Sequence, residues 1–331
     1  MAYWLYQQIL SENDDRAPRE ALQSTINWMR SLAFEIAAEH GGTPQEQYLS
    51  CLNTFKSNTQ GNRASIGDGV VFECLYLSLT NSLSVTSVSS LEAIATNKPW
   101  LISSMIVSWY YSYYTAMRAI LAASNISAPE THGGVIKSIN NNGIIDKLPY
   151  PLNMRATWDR NEEYTISFPN FSSVKRSNLT GTFLETRECA QQMLLGYLSG
   201  TKTREVGIIK ERIKKDKNLK DFLTKEAKSH KDSKLKSSQY NFMNCAFRYR
   251  GKANYRDGIY ISYGTRDIRN GKEFVEALSF TSRFSFVCAL AFVTHRIGEQ
   301  KTKAFIDDVS TNLRGNGQAE NDERFWLNLI N

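Results

Sequence analysis

The chain has 331 residues, of which 41% are hydrophobic and 22% charged, so it can form one large or two ordinary globular domains. Its formal net charge is +7, and residues 202–236, the basic arm, account for that excess with 13 Lys or Arg against 6 Asp or Glu. Five scattered cysteines and four dispersed histidines argue against a disulfide framework and a local metal motif, so we expect reduced thiols, a cytoplasmic protein and no cofactor.

Two apolar windows raise the question of a membrane. Residues 100–123 contain Arg118, several serines and many tyrosines, and residues 284–293 are about half as long as a transmembrane helix. Residues 1–15 have a short apolar run that soon becomes acidic, which is unlike a signal peptide. We therefore expect two buried helices and no membrane contact.

The first part of the chain predicts helices. Apolar residues recur at helical spacing through 16–39, and Gly41-Gly42 follows as a stop signal. Residues 53–68 are polar and contain two glycines, which predicts a loop. From 70 to 95 the leucines alternate as in a strand, but the length of the stretch and the lack of an internal glycine favour a helix.

The stretch from Trp109 to Ser138 predicts a central helical hairpin. Asn125 is a stop signal, and Pro129 prevents the helix from continuing. Thr131 is a suitable cap for a second helix that begins near His132. The first helix carries two apolar stripes, Tyr110, Tyr114, Met117 and Leu121 on one and Tyr113, Ala116 and Ile120 on the other.

The character of the sequence changes after Gly143. Residues 148–173 combine prolines and aromatics without a helical period, which predicts irregular structure or short strands. A helix is predicted to resume near Phe183 and to pass into the basic arm, and residues 229–239 have the composition of a flexible exit. A long amphipathic helix is predicted over 274–298.

Several of these residues together resemble a known family. A tyrosine pair, an aromatic three residues on, Ala-x-Arg-Ala-Ile-Leu, a break and Thr-His are similar to the central hairpin of HEPN domains. These are helical-bundle proteins named for nucleotide binding in higher eukaryotes and prokaryotes. FRYRGKANYRDG, before the long helix, resembles the arginine-rich turn that carries the family's motif. The resemblance implies a mainly α fold, a HEPN-like helical bundle.

The same resemblance divides the chain into five parts. They are an N-terminal helical extension (1–66), the first part of the bundle (67–145), an insertion with irregular structure and the basic arm (146–238), the second part of the bundle (239–299) and a C-terminal tail (300–331).

The family's ribonuclease members carry an arginine, four residues, a histidine, one residue and a tyrosine. The histidine moves protons, and the arginine stabilises charge on the scissile phosphate. In this sequence the three positions fall on Arg248, Ala253 and Tyr255. Because alanine cannot accept a proton, the motif is incomplete, and we expect no catalysis from it.

The resemblance also implies a biological setting and partners. The resemblance implies a component of a bacterial antiphage or toxin–antitoxin system that acts by binding protein or nucleic acid. The expected partners are a second copy of the chain, forming a homodimer, or a nucleotidyltransferase.

Two alternative functions stay open. The chain could be a metal-independent endoribonuclease that uses another histidine, with His132 as the candidate, or a composite site shared by two copies. It could instead be a nucleic-acid-binding module, since clustered positive charge attracts phosphates. The residues of the basic arm that would then contact nucleic acid are Lys210, Arg212, Lys214, Lys215, Lys217 and Lys220.

Overall fold

The computed structural model describes residues 16–61, 68–89, 101–157, 165–167, 186–236, 238–254 and 271–314. Within these ranges the protein is 82% helical with ten helices, as the sequence predicts. The helices are α1 Arg16–His40, α2 Pro44–Asn58, α3 Gly69–Ser89, α4 Leu101–Ala123, α5 His132–Asn141, α6 Arg187–Lys217, α7 Lys225–Lys236, α8 Phe242–Asn254, α9 Gly271–Ile297 and α10 Glu299–Arg314.

Little sheet accompanies these helices in the described ranges. A short 3-10 turn, Ile145–Lys147, precedes strand β1, Arg155–Thr157. Strands β2, Thr165–Ser167, and β3, Gln239–Asn241, each pair with β1 in antiparallel register, which gives the order β2-β1-β3. The prediction of irregular structure or short strands over 148–173 is therefore confirmed where the chain is described.

Helix α4 lies at the centre of the bundle, packed against α3, α8 and α9. Both of its predicted apolar stripes are buried. Thr281 of α9 joins the two helices, because its backbone oxygen accepts from the Tyr113 hydroxyl at 2.8 Å and its Oγ1 accepts from Trp109 Nε1 at 2.8 Å. Apolar burial and these two directional hydrogen bonds together fix the position of α4 in the bundle.

The predicted hairpin is confirmed at both of its ends. After α4, Asn125 adopts a left-handed backbone with φ 59°, a conformation that asparagine tolerates better than most residues. Thr131 caps α5, and its side chain accepts a hydrogen bond from the backbone N–H of Gly134 at 3.1 Å. The first residue of α5 is therefore His132, held at a defined place beside α4.

An aromatic cluster joins distant parts of the chain. The ring of Trp28 on α1 lies 5.5 Å from Trp109 on α4, 4.6 Å from Tyr197 on α6 and 4.7 Å from Tyr249 on α8. All four rings are almost completely buried. Helix α1 and the first half of α6 consequently share the core of the bundle.

Three local predictions are wrong. Residues 53–58 are the end of α2 and not a loop. A Thr43–Glu46 capping box starts that helix, and its Phe55 side chain is buried. Residues 62–67 lie outside the described ranges. Most of 229–239 is helix α7, and Leu235 of this helix is buried in the hydrophobic core. Residues 247–254 of the arginine-rich stretch are helical and belong to α8, because Phe242, Cys245 and Tyr249 form a buried face at helical spacing. Residues 255–258 lie outside the described ranges.

The two apolar windows are buried helices, as predicted. Among the described residues, one helix, Lys272–Ile297, has the length and apolar composition that could cross a membrane, and 83% of its most apolar window is buried inside the structure. The five cysteines are free thiols, and four of them are buried.

A buried histidine joins α1 and α2 to the segment before β1. His40 is 5% exposed, and its Nε2 donates to the backbone oxygen of Tyr150. Because Nε2 then carries the proton, Nδ1 accepts from the Ser50 hydroxyl at 2.8 Å in the neutral ring. Burial lowers the pKa of His40, since a charged imidazole would lose its hydration there.

Replacing Leu121 by alanine should lower the free energy of unfolding by about 2–5 kcal/mol, because its side chain is fully buried. Leu223→Ala is the matched control, since Leu223 is 75% exposed, and it should change stability by less than about 0.5 kcal/mol. Urea denaturation of both variants measures the difference. A cost below about 1 kcal/mol for Leu121→Ala would contradict the assigned core.

The protein should lose stability as the pH falls below about 6.5, the ordinary histidine pKa. The folded-state pKa of His40 is lower than its unfolded value, so the unfolded chain binds more protons in this window and acid favours unfolding. Melting temperatures at pH 7.5, 6.5 and 5.5 test this expectation. His40→Gln should flatten the dependence, and an unchanged slope in that variant would reject the assignment.

Candidate functional site

Six side chains form an aromatic and cationic cluster where α4, α5 and α8 meet. We call it the His132 cluster, and its members are Tyr110, Tyr111, Tyr114, His132, Phe247 and Arg250. The ring of His132 lies 4.6 Å from that of Tyr114 and 5.5 Å from that of Phe247. Aromatic rings from α4 and α8 therefore surround one imidazole, which α5 supplies.

Both ring nitrogens of His132 have protein partners. Arg250 Nη1 lies 3.3 Å from Nε2, and the Tyr110 hydroxyl lies 2.8 Å from Nδ1. Arginine can only donate, so Nε2 is the acceptor in this pair. The proton of the neutral ring then sits on Nδ1, which donates to the Tyr110 oxygen.

The surroundings keep His132 uncharged near neutral pH. Partial burial and the positive charge of Arg250 lower the pKa of His132. Burial also raises the pKa of Tyr110, so that hydroxyl remains protonated. A proton added to Nε2 of His132 would face the N–H of Arg250, and two donors cannot bond to each other. Protonation of the ring is therefore disfavoured.

Arg250 is held among aromatic rings. Its guanidinium carbon lies 5.5 Å from the centroid of Tyr110, 5.6 Å from Tyr111 and 5.7 Å from Phe247. Its Nε is buried and meets no hydrogen-bond acceptor in the described part of the chain. Phe247 is 39% exposed and forms the outer edge of the cluster.

The arginine chosen from the sequence lies elsewhere. Arg248 Nη1 donates to Thr201 Oγ1 at 3.2 Å, and its guanidinium lies 5.2 Å from the centroid of the Tyr197 ring. Two residues along a helix span about 200°, so Arg248 and Arg250 point to opposite sides of α8. Arg248 therefore contacts α6, whereas Arg250 contacts His132.

Of the other two motif positions, the structure describes Ala253. Ala253 is 4% exposed on α8, so a histidine placed there would enter a packed interior. Tyr255 lies outside the described residues. Of the sequence-derived candidates, the structure gives His132 an arginine partner, and that partner is Arg250.

Arg250 was missed because FRYRG was interpreted as a turn. Phe247 and Arg250 are three residues apart, a spacing that places them on one face of a helix. The burial of Tyr249, with its hydroxyl donating to the Thr25 backbone oxygen at 3.1 Å, then fixes which face meets α5. Helical spacing from Phe242 onward was the available signal.

The remaining histidines have local structural contacts. At the end of α9, His295 Nε2 lies 3.1 Å from the backbone oxygen of Thr59. His230 lies 3.5 Å from Glu226, and its side chain is 41% exposed, as the sequence suggested. Within the described ranges, no group of three or more His, Cys, Asp or Glu could hold a metal ion.

The basic arm is well ordered into two helices. Lys210, Arg212, Lys214, Lys215 and Lys217 occupy the C-terminal half of α6, and Lys220 lies in the turn before α7. Lys214 pairs with Glu211 at 3.0 Å and lies 5.9 Å from the Phe222 ring. The other five are charged groups on a helix or turn, four of them exposed.

Comparison of the chain with protein-family models, with curated proteins and with solved structures gives no match. The resemblance to HEPN domains accordingly rests on the residues of the chain themselves.

Proposed function

We propose that this protein is a HEPN-like, non-catalytic component of a bacterial defence or toxin–antitoxin system that binds unpaired RNA through the His132 cluster. The observation that carries the proposal is the position of Arg250, held among three aromatic rings beside His132 at the surface of the bundle. The biological setting comes from the family resemblance, and the RNA-binding role comes from the chemistry of the cluster.

The cluster has both kinds of group that bind unpaired nucleotides. Aromatic rings stack on bases, and an arginine guanidinium contacts phosphate or stacks in turn. Phe247 is exposed enough to offer a ring face, and Tyr111, which like Phe247 contacts Arg250, is half-buried. Arg250 uses one N–H on His132, so other donors of its guanidinium are available to a phosphate oxygen.

The hydrogen bonding of His132 supports a binding role over a catalytic one. A general base needs a free lone pair directed at the substrate, and the Nε2 lone pair of His132 already accepts from Arg250. Nδ1 is occupied by Tyr110. In this arrangement the imidazole positions Arg250 and Tyr110, and it has no free nitrogen for the 2′-hydroxyl of RNA.

The proposal is tested by binding of a fluorescent hexauridine to four alanine variants. Phe247→Ala should weaken binding by about 5- to 150-fold, because a stacked base contributes about 1–3 kcal/mol. Arg250→Ala should also weaken it. Tyr76→Ala removes an aromatic ring that is 46% exposed on α3 and is the matched control for Phe247.

Arg248→Ala is the control for Arg250, since it removes the same charge two residues away on the opposite face of α8. Both controls should bind within about twofold of the unaltered protein. Equal losses in Arg248→Ala and Arg250→Ala would show that only general positive charge is at work, which would reject the cluster as the site.

A ribonuclease is the second candidate, favoured by a neutral histidine beside an arginine. The same protein should be incubated with a structured RNA in the presence of EDTA. We expect no cleavage above background. Cleavage that is abolished by His132→Gln and Arg250→Ala but retained in Arg248→Ala would replace the binding proposal with a metal-independent ribonuclease using His132.

A further inference from the structure

The basic arm extends out of the core as a pair of short helices. Burial along α6 ends at Val206, and beyond that residue the helix continues for three more turns to Lys217. Helix α7 returns alongside it, anchored by Ala227 at 1% exposure and Leu235 at 3%. The arm is therefore a helical hairpin fixed to the body at its base.

Hydrogen bonds also order the turn at the tip of this hairpin. The Leu219 N–H donates to the Lys214 oxygen at 2.8 Å, next to a left-handed Asn218 with φ 51°. Asp221 Oδ1 accepts from the Leu223 N–H at 3.0 Å, and Thr224 Oγ1 accepts from the Ala227 N–H at 3.2 Å. Charges carried by such a hairpin are held in place before any partner binds, so less ordering cost remains.

Three of the six acidic side chains of the arm pair with a lysine or arginine of the arm, and a fourth lies beside a histidine. Glu205 pairs with Arg204, Glu211 with Lys214, Asp232 with Lys231 and Glu226 with His230 when that ring is protonated. Eight cations have no ion-pair partner among the described residues: Lys210, Arg212, Lys215, Lys217, Lys220, Lys225, Lys228 and Lys236. Asp216 and Asp221, which also form no ion pair among the described residues, offset only two of these eight charges.

The composition of the hairpin indicates the kind of anion. Seven of the eight cations are lysines, which act as point charges on phosphates and do not make the bidentate contact with which arginine reads guanine. Phe222 is the one aromatic residue of the arm, and Lys214 lies over it. The hairpin therefore lacks the series of aromatic rings on which successive unpaired bases stack.

A membrane fits this surface less well. A helix that lies in a lipid interface needs an apolar face opposite its charges. The exposed positions of α7 are Lys225, Glu226, Lys228, Ser229, Ser233, Lys234 and Lys236. Leu223 is 75% exposed at the tip and Ile208 is 39% exposed on α6, but two apolar side chains do not form such a face.

We propose that the basic arm is a second nucleic-acid surface, which binds the phosphate backbone of duplex RNA or DNA without regard to sequence. It goes beyond the proposed function because it uses a different part of the chain and a different form of nucleic acid. The His132 cluster receives unpaired bases, and the arm holds the adjoining duplex.

The experiment is fluorescence anisotropy with 20-base-pair RNA and DNA duplexes of two unrelated sequences over a range of salt. The logarithm of the association constant should fall against the logarithm of salt with a slope between about −4 and −7, for five to eight neutralised phosphates. The two sequences should bind equally. Comparison of the RNA duplexes with the DNA duplexes shows which kind of duplex is preferred.

Two charge-reversal variants locate the contacts. Replacing Lys215, Lys217 and Lys228 by glutamate should lower duplex affinity at least about tenfold and make the slope shallower by about 2.7. The matched control reverses Lys56, Lys272 and Lys303, which are exposed on α2, α9 and α10, and should retain most of the affinity and the original slope. Circular dichroism of both variants shows whether they remain folded.

Equal losses in the two variants, a slope near zero, or binding to phosphatidylserine vesicles in place of duplexes would overturn the proposal. Phe247→Ala should leave duplex binding unchanged. A failure of hexauridine binding with intact duplex binding would therefore count against the His132 cluster alone, and the reverse result would count against the arm alone.

Discussion

The burial of Tyr249 determines how α8 is rotated, and the candidate site depends on that rotation. The ring lies 4.7 Å from Trp28, and the hydroxyl donates to the Thr25 backbone at the side of α1. With Tyr249 fixed in the core, the side chains of Arg248 and Arg250 must project from opposite sides of α8. Arg248 contacts α6, and Arg250 contacts His132 on α5. The packing and the hydrogen bond of Tyr249 in the core thus decide which of two nearly adjacent arginines joins the histidine.

That contact also sets the chemistry of the imidazole. Because Arg250 can only donate, it imposes the tautomer of His132 and disfavours its protonation. The Tyr110 hydroxyl then meets a ring N–H, and burial keeps that hydroxyl protonated. The result is an uncharged histidine that supports a cation among aromatic rings. Such a group suits recognition of bases and phosphates better than proton transfer.

Much of the fold could be predicted from periodicity, and part of the site could not. The stripes of α4, the Asn125 stop and the Thr131 cap are local signals, and each is confirmed because tertiary packing agrees with local propensity. The 53–58 and 229–239 predictions failed because polar composition hid buried anchors such as Phe55 and Leu235. The sequence alone offered His132 as a candidate, whereas Arg250 required knowing how α8 is rotated, which depends on Trp28, 222 residues away in the chain.

The tautomer and pKa of His132 test the central claim most directly. Long-range ¹H–¹⁵N correlation spectra of histidine-labelled protein distinguish the two neutral tautomers, and His132→Gln assigns the signal. The structure predicts a proton on Nδ1, an unprotonated Nε2 and a pKa below the ordinary value of about 6.5. A proton on Nε2, or a pKa above that value, would show that Arg250 does not occupy this nitrogen and would free His132 to act as a base.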